Sequence, residues 1–146
     1  MIVVKSSLAE LVADAFQFDK ASYFNNSTFT RCAFRGARLR HSLEDVAFED
    51  TDFSSSTFVG GMEYGFRRCR FFRCTFENID WHHTFIRASE FRDCNFFGGT
   101  IRKSILAGFK FFGTPPPKGI VSECENPSIF FEGAPLRLDA CSPLAT

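Results

Sequence analysis

The residues able to do chemistry in this chain are few and scattered. His82 and His83 are adjacent, and six cysteines stand at positions 32, 69, 74, 94, 124 and 141. No two cysteines are separated by only two residues, so the CxxC half-site of a zinc centre is missing. The chain has no GxSxG nucleophile turn, no phosphate-cradling glycine loop and no HExxH pair. No catalytic residue, metal or cofactor is expected, and the chain reads as a non-enzyme. What is left is charge. Glu44, Asp45, Glu49, Asp50 and Asp52 form an acidic cluster, and Arg67, Arg68, Arg70, Arg73, Arg87 and Arg92 form a basic one.

Whether those clusters face a partner or each other depends on what positions them. Every fifth residue from Phe66 onward is large and apolar: Phe66, Phe71, Phe76, Trp81, Ile86, Phe91, Phe96, Ile101, Leu106 and Phe111. Two residues before most of them the side chain is small, as at Cys69, Cys74, Thr84, Ser89, Cys94, Gly99 and Ser104. A step of five fits neither the 3.6 of a helix nor the 2.0 of a strand. It fits a chain that turns a corner every five residues and sends one residue of each five to a common axis. The same step runs upstream through Phe24, Phe29, Phe34 and Leu39, shortens by one to Leu43, and resumes at Phe48, Phe53 and Phe58. From Phe58 to Phe66 it gains three residues, within the glycine-rich stretch 60–65. Both irregularities fall between groups of four inward residues, which predicts four faces per coil.

These repeats resemble the pentapeptide-repeat family. Cys32-Ala33-Phe34-Arg35-Gly36, Thr51-Asp52-Phe53-Ser54-Ser55, Cys74-Thr75-Phe76-Glu77-Asn78 and Cys94-Asn95-Phe96-Phe97-Gly98 carry the likeness, which covers roughly residues 22–112. The departures are Phe in place of Leu at the centre and few Asp or Asn just before it. The resemblance implies an all-β fold, a right-handed quadrilateral parallel β-helix, here of about 4–5 coils. It also implies that such rods can pair end to end, so a homodimer through a terminal coil or the C-terminal tail is in view.

The flanks read differently. Ser7 and Glu10 form a capping box, and Leu8, Leu11, Val12 and Ala15 recur at helical spacing. Residues 1–21 are therefore expected to be a cap with a short helix from about Leu8 to Ala15. After Phe112 the prolines 115–117 cannot continue a sheet, because proline has no amide donor. Residues 113–146 are expected to be a linker and an irregular tail, with Phe130 and Phe131 available to cover the last coil.

In this register Cys74 and Cys94 lie one coil apart on one face, near enough for a bridge. Reduced thiols acting as small hydrophobes are the expected state. His82 and His83 fall on the outside as solvated residues. Glu44, Arg67 and Arg87 line up one residue past the centre, and Asp50, Arg73 and Asp93 two past it on the next face. Neighbouring coils then exchange ladder salt bridges, or the charges are offered outward. Phe72 and Phe97 sit where side chains face water and call for a covering element or a partner.

Seventeen basic and seventeen acidic residues cancel, so no global field favours nucleic acid or a membrane surface. No apolar run approaches the roughly 20 residues of a membrane span, and no secretory leader pattern is present, so the cytosol is the expected compartment. Twenty-one Phe against one Trp and two Tyr argue for a dry core. The reading is a protein-interaction module, of immunity or effector type, binding one protein through Arg67, Arg68, Arg73, Arg87, Arg92, Glu44, Asp45, Glu49, Asp50, Phe72 and Phe97. The alternative implied by the resemblance is a DNA mimic that protects DNA gyrase or topoisomerase IV from quinolones. Mimicry needs an acidic rod. Residues 22–112 carry thirteen Lys/Arg against ten Asp/Glu, so that reading ranks second.

Overall fold

The computed structural model describes residues 1–19, 21–59, 65–124 and 127–136. Backbone spacing explains its form. Each five-residue unit is a short extended segment or a single bridging residue followed by a corner, where the residue two past the inward centre mostly takes a left-handed backbone. Lys5, Asn26, Asp45, Arg68 and Ala88 do so at one corner, with φ between 48° and 55°. The chain thus turns four times per circuit and stacks on itself as a parallel, all-β, pentapeptide-repeat-like solenoid of about six turns. No helix occurs among the described residues.

The expected register holds. On the first face Phe24 pairs with Leu43, Leu43 with Phe66, Phe66 with Ile86 and Ile86 with Leu106. On the second, Phe29, Phe48, Phe71, Phe91 and Phe111 align. The third is held by single bridges from Val12 through Ala33, Asp52 and Thr75 to Asn95. The fourth aligns Leu39, Phe58, Trp81, Ile101 and Val121. Strands Phe85–Arg92 and Ile105–Phe112 run through a corner and join the first two faces into one sheet. Inside, rings stack along the axis: Phe53 on Phe76 at 5.1 Å and 2°, Phe76 on Phe96 at 4.7 Å and 10°. Between faces they meet edge to face, as Phe71 and Phe76 do at 5.3 Å and 72°.

Residues 1–19 correct the expectation of a capping helix. Val3, Leu8, Ala13 and Phe18 continue the five-step, and Ile2–Val4 and Ser7–Ala9 pair in parallel with Tyr23–Asn25 and Thr28–Thr30. A helix there would leave those two strands without a neighbour on that side, and the ladder wins over the local capping signal. Glu10 instead reaches Arg31 one turn on. The turn count rises accordingly above the expected four to five.

The solenoid also outlasts residue 112. Pro116 is buried in the inward position of the third face, where no bridge extends beyond Asn95. Val121 closes the sixth turn, and Ser128–Phe131 adds a parallel strand to Ile105–Phe112. Ile129 is the buried residue of that strand, with Phe130 and Phe131 half-buried. Ala134–Pro135 then folds back antiparallel. The glycine-rich insertion at 60–64, Leu138 and the end of the tail lie outside the described residues.

Candidate interaction surface

The small residues two before each centre do more than make room. The Cys69 amide donates to the Ser89 hydroxyl one turn on (3.2 Å), and that hydroxyl donates to the Arg87 carbonyl (3.2 Å). Ser104 does the same for Thr84, at 3.1 and 3.0 Å. Ser, Thr and Cys there satisfy corner amides and carbonyls that the ladder leaves over. The five described cysteines are free thiols. Cys74 and Cys94 are neighbours in one column without a bridge, and burial raises the Cys74 thiol while it pushes Cys69 up to about 12.

Outside, the acidic and basic clusters largely meet each other. Arg68 takes Glu44 at 2.7 Å and Asp45 at 2.8 Å. Arg73 takes Asp50 at 2.8 Å, and Arg67 lies 4.0 Å from Glu44. The guanidinium hydrogen bonds hold Asp45 and Asp50 below the usual carboxylate range and raise Arg68 and Arg73. The carboxylates are about a third exposed and the arginines about half, so solvent screens each pair and leaves it a small share in stability. Glu49 makes no ion pair among the described residues; it lies beside Phe72 in the ladder and acts on Arg73 through space.

Two of the other arginines, Arg87 and Arg92, engage rings. Arg92 lies 4.0 Å from the Phe112 centroid and 5.9 Å from Phe72, with Glu90 at 3.8 Å. Register explains the sandwich, because Phe72, Arg92 and Phe112 are consecutive rungs of one ladder. Arg87 sits 4.3 Å from Phe85, and Arg73 is 5.5 Å from Phe72. Phe72 is half-buried under these guanidiniums, whereas Phe97, on the third face, is 73% exposed. The structure thus groups Arg67, Arg87, Arg92 and Phe72, pairs off Glu44, Asp45, Asp50, Arg68 and Arg73, and sets Phe97 apart. Phe85, Lys110 and Phe112 were not singled out from sequence. Extending the register to the residues on either side of each centre finds them.

His82 Nδ1 stands 3.5 Å from Asp80, which also receives Arg102 at 3.7 Å. The described residues contain no group of three metal-ligating side chains. His41 is the unexpected histidine. The shortened step makes it both the corner residue after Leu39 and the inward residue before Leu43, so it turns in. It is fully buried, 5.1 Å from the Phe18 ring and 4.5 Å from Phe24, and neither nitrogen has a hydrogen-bond partner. Burial pushes its pKa down to about 3, with the Met1 amino group adding to the effect and Asp19 opposing it.

No family model matches the chain, and no curated protein matches it. Two solved structures of QnrB1, described as a plasmid-mediated fluoroquinolone resistance protein, are similar to it. The trypsin-treated form is 17% identical, with 93% of this chain and 79% of that one covered and a TM-score of 0.28. The full-length form is 14% identical, with 73% and 88% covered and a TM-score of 0.18.

Proposed function

We propose that this chain is a pentapeptide-repeat protein acting as a non-enzymatic interaction module, a rod that binds one protein partner through its outer faces. The observation that carries the reading is the arginine–phenylalanine ladder of turns four to six. A half-buried run of outward-facing aromatic and cationic side chains has no use in packing the core, and arginine with aromatic residues is what protein interfaces are enriched in. The free thiols suit a cytosolic setting. The test is capture from a lysate of the native organism with the full chain as bait, at low and high salt. A single stoichiometric protein, weakened by salt, is the expected result, and an empty capture at both would refute the module.

Topoisomerase protection by DNA mimicry stands behind this reading. The family resemblance suggests it; the acidic surface it would need lies on turn three, where Arg67, Arg68 and Arg73 occupy Glu44, Asp45 and Asp50. A supercoiling assay of DNA gyrase with ciprofloxacin is expected to show no protection; protection by the purified chain would reverse the ranking.

A further inference from the structure

The interaction reading leaves open what chemistry the partner presents, and the outer charges answer it. On the first two faces of turns four to six, Arg68 and Arg73 are consumed by carboxylates of turn three. Among the described residues five cations remain there, Arg67, Arg70, Arg87, Arg92 and Lys110, against two carboxylates, Glu90 and Asp93. Arg70, Arg87 and Lys110 take part in none of the ion pairs among the described residues, and Arg67 and Arg92 have only long ones, at 4.0 and 3.8 Å. Among the described residues no side-chain hydrogen bond uses the guanidinium of Arg70, Arg87 or Arg92.

Aromatic rings hold two of these groups. Arg92 is placed between Phe72 and Phe112, and Arg87 on Phe85. A guanidinium stacked on a ring keeps its in-plane N–H fork for a carboxylate and loses little freedom when one arrives. Beside them Ile105 is exposed and Phe112 half-buried, an apolar margin of the kind a protein surface covers.

We propose that the outer surface of the first and second faces in turns four to six is a receptor for an acidic protein segment, its Asp or Glu carboxylates taken by Arg70, Arg87, Arg92 and Lys110. This rests on the interaction-module reading and deepens it. Nucleic acid fits less well. The basic patch spans three turns, roughly 10 Å at the usual strand spacing, enough for few phosphates. It is bounded on the side of turn three by Glu44, Asp45, Glu49 and Asp50, across which a phosphate backbone would have to continue.

The test is titration of the full chain with labelled poly-L-glutamate and with oligo(dT) of equal charge, by fluorescence anisotropy at low and high salt. The polyglutamate is expected to bind more tightly, and high salt to weaken it. Reversing charge in an Arg70→Glu/Arg87→Glu variant should weaken it about tenfold or more. Phe112→Ala leaves the charge unchanged but frees Arg92, and should weaken it about threefold. Arg35→Gln, on the third face, serves as control and should leave binding unchanged; circular dichroism checks that each variant is folded. Tighter binding of oligo(dT), no binding of polyglutamate at low salt, or full binding by the charge-reversed variant would each overturn the proposal. A native partner captured while polyglutamate fails to bind would sink the acidic receptor and spare the module. Polyglutamate bound with nothing captured from lysate would do the reverse.

Discussion

Phe76 shows what one inward residue contributes. Its ring stacks on Phe53 and Phe96 and meets Phe71 and Trp81 edge-on at 5.3 Å each. A side chain enclosed on all sides leaves a cavity that its neighbours cannot close, so Phe76→Ala should cost about 3–5 kcal/mol, read as a lower thermal midpoint by circular dichroism. That position was legible in the sequence because a five-residue period with ten unbroken hits has no competing explanation. His41 was not. It lies where the step fails, and a residue that serves as corner and inward slot at once follows no period. Its burial has a consequence for pH. The folded chain holds it neutral, with a pKa near 3, while the unfolded chain protonates it near 6.5. The unfolded state therefore binds the extra proton between those values, and stability falls as pH drops through that window. The loss is about 2 kcal/mol from pH 7 to pH 5. His41→Leu should abolish this limb in melts across that range. Asp14, Asp45 and Asp50, held low by arginines, contribute stability that is lost only below their unfolded value of about 3.9, so the two effects separate.

Within one face, the strand, the corner and the inward slot act together. The left-handed corner recurs at Arg68, Arg73, His83 and Lys103, residues that do not favour it locally. The stacked ladder enforces it. For the same reason Leu8 to Ala15 could read as a helix and yet fold as the end of a strand, a single bridge at Val12 and two corners: helical spacing and a capping box are local signals, and the edge of the second turn outweighs them. The five-step was present at Val3, Leu8, Ala13 and Phe18, but Ala13 is too small to announce it. At the other end the prolines were expected to end the sheet altogether. They end only the third face, because each face has its own ladder and Val121 and Ser128–Phe131 extend two others. The inward slot gives the sharpest test at this scale. Ser89→Ala should leave the buried Cys69 amide without an acceptor and cost about 1–3 kcal/mol in chemical denaturation, with Ser89→Thr nearer to wild type.

Taken whole, the molecule sets opposite charges against each other on neighbouring turns. Turn three supplies carboxylates and turn four guanidiniums, so a net charge of zero conceals local order rather than a featureless surface. The sequence showed both clusters and their ladder alignment. It did not show which arginines would be spent, since that depends on which side chains reach 2.7–2.8 Å and which lie over a ring. What remains unspent is the arginine–phenylalanine surface of turns four to six. The most direct measurement is parallel capture from native lysate by the wild-type chain and the folded Arg70→Glu/Arg87→Glu variant, quantified by mass spectrometry. One stoichiometric protein with an acidic surface segment, bound by the wild type and depleted from the variant, is the predicted result. Equal recovery of the same protein by both chains would contradict the account.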